Sequence, residues 1–460
     1  MRHVVFNQDN YNCRGGGPGG YISRLYRGYG ERGSSFVTNN DQIVDINIMF
    51  ADSKEGRYPW GQILDNIKND SFNKELLNLH ASFRNMHEES DWGIYDSMLS
   101  LPSIKLMRQM YLDDLASIHV HGSYDFFKVL NILKLNKIEN DVVKILTTHS
   151  PVPLFQEIYE DNLIAQFPNN KAYCDDLKRL LTYRELLAYR NADVLIFPIK
   201  EAIDSYYEYS PELGKIIDSK PVYYFLTGSA PYEVKTPVAN FRCKYNIPLD
   251  AKVVGYIGRH VVARGYDTLK EAAIETWAKD PNVYFVMAGE LNAYGEQPIT
   301  DDNRWIEIGF TDCPGDFINS LDLVIQPSKH NYFDLSMIEI LSLGKIVLTS
   351  YVGGMKYFAD NTSGVITFER YNASSLANKI VEFFKLESKE LNKMKNENLD
   401  LYNNHHNEEI FSKEYTKVIS QIYQDFKIKE PKIRDIQIPG YISAFSNRVF
   451  SKMARFYRGK

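Results

Sequence analysis

Cysteine is scarce in this sequence, and no two cysteines form a CxxC pair. The four cysteines are Cys13, Cys174, Cys243 and Cys313. This spacing argues against a zinc knuckle or a disulfide framework, and it fits a reducing compartment. Long apolar runs are also missing, since none approaches the ~20 residues that cross a bilayer. The N-terminus, MRHVVFNQDNYN, has too short an apolar core for a signal peptide, so the sequence predicts a cytoplasmic protein.

An excess of positive charge is missing as well. The formal net charge is −6 at pH 7, which argues against a nucleic-acid partner. The HExxH, Walker phosphate-loop and GxSxG patterns are absent. Asp301-Asp302 lacks the glycine spacing of a calcium loop, and the polar surroundings of His405-His406 predict a solvated pair. The sequence therefore predicts neither a metal nor a bound cofactor.

The composition that remains is that of an ordinary globular protein, with 44% hydrophobic and 24% charged residues. A chain of 460 residues predicts two or more domains at roughly 100–200 residues each. Short apolar runs alternate with helical patterns, which predicts an α/β fold with largely parallel sheets. The strand candidates are His3–Phe6, Ser117–Val120, Val142–Thr147, Val194–Phe197, Val222–Leu226, Lys252–Ile257, Val283–Ala288, Trp305–Ile308, Leu323–Gln326 and Ile346–Thr349.

Both halves of the chain predict Rossmann-like, doubly wound domains that face each other across a cleft. Ligands tend to bind where the carboxyl ends of such strands meet. We expect the first domain over 1–232, the second over 233–410, and a helix returning to the first domain over 411–433. The segment 434–460 is basic, and its apolar residues recur at helical spacing. This tail either packs on the first domain or binds an anionic membrane surface.

The strongest pattern follows the strand candidate at 253–257. Gly258-Arg259 comes next, and Arg264-Gly265 follows five positions later, before a helix. Arginine presents a planar fork of donors that suits phosphate oxygens. Two arginines on a solvated surface are also common, so this pattern alone leaves both interpretations open.

A second helix is expected to begin near Asp334, after the strand Leu323–Gln326. Its amino-terminal N–H groups would face the cleft and could hold an anion. Glu339 lies about one turn into this helix and could accept hydrogen bonds from a ribose diol. The alternative is a solvated Glu339, but its neighbours are apolar. An acid in a buried helix needs a partner.

Together these residues resemble the donor domain of the retaining family-four (group 1) glycosyltransferases. The resemblance runs from Val253 to Glu339 and includes Ala288-Gly289-Glu290, Gly309 and Pro327-Ser328. That family has the two-domain GT-B fold and usually needs no metal. The resemblance implies that Arg259 and Arg264, with Gly258, hold a nucleotide diphosphate. It also implies that Glu339 holds the ribose.

The family also has two glutamates eight positions apart, and this sequence departs from that pattern. Glu339 matches the second glutamate, whereas Asn331 stands at the first, which in relatives touches the donor sugar. The backbone amides that follow, at Phe333, Asp334 and Leu335, are expected to meet phosphate and sugar. An asparagine can still hydrogen-bond sugar hydroxyls.

The first half contains the glycine run Gly15–Gly20, between a strand and a helix. Similar proteins have a glycine loop here, which implies that Gly19 and Gly20 approach the donor phosphate. The spacing of Gly15, Gly17 and Gly20 also fits a dinucleotide-binding fingerprint, and a plain flexible loop is a third interpretation.

Three histidines are candidate contacts in the cleft. His149 follows the strand Val142–Thr147, and the resemblance implies that it faces the donor sugar. His121 ends the preceding strand and either lines the acceptor side or is structural. His330, beside Asn331, is a further candidate for a sugar contact.

The sequence thus predicts a glycosyltransferase that moves a sugar from a nucleotide-diphosphate sugar to a glycan or lipid-linked acceptor. The resemblance implies retention of configuration, with a UDP-sugar favoured over a GDP-sugar, and a role in cell-surface polysaccharide synthesis at the inner face of the membrane. Two alternatives are an NAD-dependent oxidoreductase, from the glycine run, and a non-catalytic nucleotide-sugar-binding protein, from Asn331.

Overall fold

The computed structural model describes residues 1–7, 17–30, 33–50, 62–87, 101–110, 112–160, 170–289 and 297–431. The basic tail 434–460, Gly15 and Glu290 lie outside the described residues. Within the described ranges, every helix is too short or too polar to cross a membrane.

Seven strands form the first sheet, in the order β2-β3-β1-β4-β5-β6-β7. All neighbouring strands are parallel except the edge strand β2, which is antiparallel to β3. Every residue of β4 and β6 is buried, as expected for parallel strands covered by helices on both faces. The strands are β1 Arg2–Asn7, β2 Ser34–Val37, β3 Ile43–Phe50, β4 Leu115–His121, β5 Val143–Thr147, β6 Val194–Phe197 and β7 Val222–Tyr224.

Six parallel strands form the second sheet, in the order β10-β9-β8-β11-β12-β13. The order in which strands are added reverses between β8 and β11, and ligands bind at such topological switch points. The prediction of two parallel-sheet α/β domains is therefore confirmed. The strands are β8 Lys252–Ile257, β9 Val283–Ala288, β10 Trp305–Gly309, β11 Leu323–Gln326, β12 Val347–Ser350 and β13 Val365–Phe368.

Helices cover the faces of both sheets. Asn170, Asn372 and Asn407 each cap a helix by accepting a hydrogen bond from a backbone N–H three residues later. The helices are α1 Gly17–Tyr29, α2 Gln62–Asn69, α3 Ser71–Met86, α4 Ile104–Gln109, α5 Ser123–Leu135, α6 Leu154–Glu160, α7 Lys171–Asn191, α8 Asp204–Tyr209, α9 Pro211–Asp218, α10 Val238–Lys244, α11 Tyr266–Lys279, α12 Pro314–Asn319, α13 Leu335–Leu341, α14 Gly354–Asn361, α15 Ala373–Phe383, α16 Ser388–His405 and α17 Glu408–Asp425.

The last helix, α17, packs on the first sheet rather than on the second. Phe411, Tyr415, Ile419 and Ile422 recur at helical spacing and are buried against β1, β3, β5, β6 and α1. The helix begins at Glu408, earlier than the expected 411. This packing joins the end of the described chain to the first domain.

A buried hydrogen-bond chain ties α17 to the first sheet, and its direction follows from one acceptor. The carbonyl oxygen of Ile196 can only accept, so the hydroxyl of Thr147 donates to it at 2.7 Å. Thr147 Oγ1 then accepts from Nε2 of His119 at 2.8 Å. Burial lowers the pKa of His119 well below its ordinary value, so the ring carries one proton. Its Nδ1 therefore accepts from the Tyr415 hydroxyl at 2.9 Å.

The same logic continues into β1. Because the Tyr415 hydroxyl donates to His119, its oxygen accepts from Nε2 of His3 at 2.9 Å. His3 is neutral as well, since burial lowers its pKa to about 3. Nδ1 of His3 accepts from Ser117 Oγ at 2.7 Å, and Ser117 accepts from the Tyr423 hydroxyl at 2.8 Å. Every proton in the chain thus points from α17 toward Ile196.

Besides the earlier start of α17, three strands and the start of α1 differ most from the sequence predictions. The strands β2, β3 and β13 were not predicted. Val37 and Ile43, which pair across β2 and β3, are each 60% exposed, so this edge lacks the continuous apolar run of the interior strands. The sequence predicts a loop through Gly20, but helix α1 already begins at Gly17. The early start is possible because Pro18 suits the first turn of a helix.

Candidate active site

A cavity of about 800 Å³ lies between the two domains. Its walls come from the carboxyl ends of parallel strands, with His149 just after β5, Arg259 just after β8 and Gln326 at the end of β11. The size falls within the ~300–1,000 Å³ typical of small-molecule sites. This cavity is the candidate active site.

Two arginines stand on the second-domain wall. Arg259 and Arg264 both line the cavity, as does Gly258. Nη1 of Arg264 donates to Oδ2 of Asp334 at 2.7 Å. The carboxylate of Asp334 raises the pKa of Arg264, so the guanidinium stays charged. This wall can bind an anionic group.

The glycine after Arg264 is required by the close approach of a neighbouring loop. Gly265 has a φ of +72°, and a Cβ atom there would lie 2.0 Å from the carbonyl oxygen of Pro327. No other residue fits without a shift of the backbone. The Arg-Gly pair thus keeps Arg264 close to the end of β11.

Glu339 also lines the cavity, but it is held from the other domain. Its Oε1 accepts hydrogen bonds from Nη2 of Arg24 in α1 and from Ser229 Oγ, the latter at 2.8 Å. Arg24 and Glu339 are 5% and 7% exposed. This buried ion pair joins α1 to α13 across the cavity.

Asn331 does not line the cavity, although it stands at a predicted donor position. The residue is 1% exposed, and its Nδ2 donates to Oδ2 of Asp334 at 2.7 Å. Gly353 packs so closely on this loop that a Cβ atom there would lie 1.8 Å from the carbonyl oxygen of Asn331. Asp334 does line the cavity, so Asn331 influences the cavity wall through its hydrogen bond to Asp334.

The expected anion site at the amino end of α13 is weaker than the sequence suggests. The helix has 7 residues, and its N-cap is Asp334, whose side chain makes no cap hydrogen bond. A carboxylate at that position competes with any anion. Phe333 and Leu335 line the cavity on either side of Asp334.

His149 and His121 lie together, but only His149 lines the cavity. Nδ1 of His121 lies 2.8 Å from Nε2 of His149, so one ring donates to the other. The ring of Tyr21 packs on His149 with centroids 4.8 Å apart. The structure thus puts His121 behind His149 and not on the cavity wall, because His121 is still within β4 whereas His149 lies in the loop after β5.

The glycine run reaches the cavity through different residues than expected. Gly17 and Pro18 line it, whereas Gly19 and Gly20 are buried inside the first turn of α1 and are not lining residues.

His330 lies on the cavity wall where the domains meet. Its ring nitrogens lie 3.1 Å from Ser205 Oγ and 3.1 Å from the Tyr209 hydroxyl, both on α8 of the first domain. The ring is 4% exposed. This histidine joins the two domains.

His406 corrects a further expectation. It is fully buried, and its Nδ1 donates to the carbonyl oxygen of Thr227 at 2.9 Å. Burial lowers its pKa to about 4. The polar sequence around it misled the prediction, since the ring packs against the aromatic rings of Phe333, Tyr357 and Phe358.

Comparison with known proteins finds a family match within the second domain. Residues 238–399 match the family described as Glycosyl transferases group 1. The matched region contains Arg259, Arg264 and Glu339, which line the cavity. Sucrose-phosphate synthase from Thermosynechococcus elongatus has a similar structure, with a TM-score of 0.54 and 15% identity over 92% of this chain and 99% of that one. A structure of Anabaena Alr3699/HepE in complex with UDP-glucose gives a TM-score of 0.53 and 13% identity over 92% and 100%. The predicted GT-B fold is confirmed.

Two curated relatives are glycosyltransferases by name. The O-antigen biosynthesis glycosyltransferase WclY of Escherichia coli is 27% identical over 191 residues, which cover 40% of this chain and 50% of that protein. The poly(ribitol-phosphate) alpha-N-acetylglucosaminyltransferase of Staphylococcus aureus is 28% identical over 155 residues, which cover 32% and 31%. The chain thus spans about half the length of the first relative and about a third of the second.

The sequence analysis missed Arg24, the residue that pairs with Glu339. Arg24 lies among buried neighbours, including Ile22 and Leu25, on α1. An arginine on an apolar helix face needs a partner just as a lone glutamate does. Two such charges in different domains were the available signal for a pair across the cleft.

Proposed function

We propose that this chain is a retaining, metal-independent glycosyltransferase that moves a sugar from a nucleotide-diphosphate sugar to a glycan or lipid-linked acceptor. The observation that carries the proposal is the cavity between the domains, with Arg259 and Arg264 on the wall of a group 1 glycosyl transferase domain. A UDP-sugar is favoured, which the UDP-glucose complex of a protein with the same fold supports. The named roles of the relatives support cell-surface polysaccharide synthesis.

The chemistry follows from where charge develops. Cleavage of the sugar–phosphate bond leaves negative charge on the diphosphate, and Arg259 and Arg264 would stabilise it. Asp334 occupies only Nη1 of Arg264, so the remaining guanidinium N–H groups can meet phosphate oxygens. Glu339 would accept hydrogen bonds from the ribose and so orient the sugar.

His149 would contribute a hydrogen bond rather than a charge. Burial lowers its pKa to about 3, so the ring is neutral at physiological pH. A neutral imidazole near the donor sugar can bind an oxygen without adding charge beside the arginines. Closure of the domains around the donor would exclude water.

A sugar-transfer assay tests the proposal. The purified chain is incubated with UDP- and GDP-sugars and with glycan acceptors, and release of the nucleotide is measured. We expect Arg264→Ala to lower the rate about a hundredfold, because one preorganised charged donor is lost. Arg304→Ala is the matched control. Arg304 also pairs with an aspartate of the second domain and has a similar exposure, 24% against 27% for Arg264.

Other outcomes would contradict the proposal. Equal transfer rates in the two variants would show that Arg264 does not stabilise the leaving diphosphate. Nucleotide-sugar binding without transfer over all acceptors would favour a non-catalytic binding protein, and binding of NAD alone would favour an oxidoreductase.

Attachment to the inner face of a membrane is part of the same proposal, carried by the basic composition of 434–460. We expect the full chain to bind anionic vesicles and a chain ending at residue 433 to lose that binding. Equal vesicle binding by both forms would contradict a membrane role for this tail.

A further inference from the structure

The arrangement of His149 and His121 raises the question of which ring carries which proton. Nε2 of His149 and Nδ1 of His121 lie 2.8 Å apart, and the rings are stacked with centroids 5.1 Å apart. Burial lowers the pKa of His149 to about 3 and that of His121 well below its ordinary value. Each neutral ring therefore has one N–H, and one of the two nitrogens must donate to the other.

The two possible arrangements leave different groups unpaired. Nε2 of His121 is buried and has no hydrogen-bond partner among the described residues. If His149 donated, His121 would keep its proton on Nε2 as an orphaned, buried N–H group. If His121 donates from Nδ1, only a lone pair is left unpaired there. Orphaned buried N–H groups are the rarer of the two.

The neighbouring ring supplies no partner for that nitrogen. His119 packs against His121 with the two rings tilted and their centroids 4.2 Å apart. Both nitrogens of His119 are already used, with Nε2 on Thr147 and Nδ1 on Tyr415. The position of the proton on the His121 ring is thus determined by its hydrogen bond with His149.

We propose that His121 is a positioning residue whose Nδ1–H donates to Nε2 of His149 and thereby fixes the proton of His149 on Nδ1. His149 uses Nε2 on His121, so Nδ1 is the nitrogen left for a ligand. His149 therefore offers an N–H donor to an oxygen of the substrate, such as a sugar hydroxyl or a phosphate oxygen. It does not act as a general base. This inference rests on the proposed function, in which His149 faces the donor sugar.

Three substitutions of His121 separate positioning from packing. His121→Asn can still donate an N–H to His149. Aspartate has the same shape as asparagine, but an ionised carboxylate in His121→Asp only accepts hydrogen bonds. His121→Leu removes both abilities. Histidine-selective ¹⁵N labelling of the full chain gives the protonation state of each ring nitrogen, and His149→Gln assigns the signals of His149 by their disappearance.

We expect the wild type and His121→Asn to show His149 with its proton on Nδ1, and His121→Asp to show it on Nε2. In the transfer assay, His121→Asn should keep most of kcat, while His121→Asp and His121→Leu should each lose about tenfold or more. Thermal unfolding of each variant identifies any that fails to fold.

Two results would overturn the inference. One is a wild-type His149 with its proton on Nε2. The other is a kcat in His121→Asn as low as in His121→Leu while both variants remain folded. The NMR experiment needs no substrate, so it decides the proton position even if the chain transfers no sugar, and failure of the proposed function is distinguishable from failure of this inference.

Discussion

Removal of the Tyr415 hydroxyl tests the buried chain that joins α17 to the first sheet. Tyr415→Phe takes away the hydroxyl that accepts from His3 and donates to His119. Both histidines are fully buried, and so is Tyr415. Water cannot replace the lost partner without opening the core.

The expected loss follows from the groups left without a partner. An unsatisfied buried polar group costs about 1–3 kcal/mol, so two of them cost about 2–6 kcal/mol. His3 can move its proton to Nδ1, but each ring still keeps one unpaired nitrogen. Tyr423→Phe is the matched control, since Tyr423 begins the chain and donates only to Ser117. Its loss should cost about 1 kcal/mol.

Hydrogen exchange of β4 measures this loss in the first domain, alongside denaturant unfolding of the full chain. A loss of 2 kcal/mol raises exchange through global opening about thirtyfold. We expect Tyr415→Phe to exceed that factor and Tyr423→Phe to stay below it. Equal effects of the two substitutions, or a larger effect of Tyr423→Phe, would refute the deduced direction of the hydrogen bonds.

Three further predictions concern charge, backbone space and pH. Arg24→Leu removes the guanidinium that pairs with buried Glu339 and leaves the carboxylate with neutral partners such as the Ser229 hydroxyl. The free energy of unfolding should fall by about 3–5 kcal/mol, which calorimetry measures, and a loss below about 1 kcal/mol contradicts the pair. Gly353→Ala should destabilise the second domain by more than about 2 kcal/mol, since the φ of +46° and the loop carbonyl both exclude a Cβ, and an unchanged midpoint of unfolding contradicts this. His3 and His406 have pKa values lowered to about 3 and about 4, so the unfolded chain binds more protons below pH 6.5. Each should remove about 1 kcal/mol of stability between pH 6.5 and 5.5, and unchanged stability over that range, measured by denaturant titration, contradicts it.

The interior strands of both sheets are predictable from the sequence, because parallel strands that are buried on both faces consist of continuous apolar runs. The bounds predicted for Val194–Phe197 and Lys252–Ile257 are those of β6 and β8. The edge strand β2 and its neighbour β3 escape prediction because their exposed residues interrupt that run. The start of α1 is not predicted because its first turn contains three glycines, which are typical of loops.

Part of the cavity is predictable for a similar reason. Arg259, Arg264 and Glu339 follow strands of one domain at a local spacing, and all line the cavity. The partner of Glu339 is Arg24, 315 positions away, and no local pattern encodes such a contact. The same holds for the burial of Asn331 behind Asp334, which depends on how two loops pack.

The central claim is that the cavity wall at Arg264 binds the diphosphate of a nucleotide. Calorimetric titration of UDP into the wild type, Arg264→Ala and Arg304→Ala tests it most directly. We predict that the wild type and Arg304→Ala bind UDP alike and that Arg264→Ala binds about a hundredfold more weakly. Equal affinity in all three proteins, or no UDP binding by the wild type, would contradict the claim.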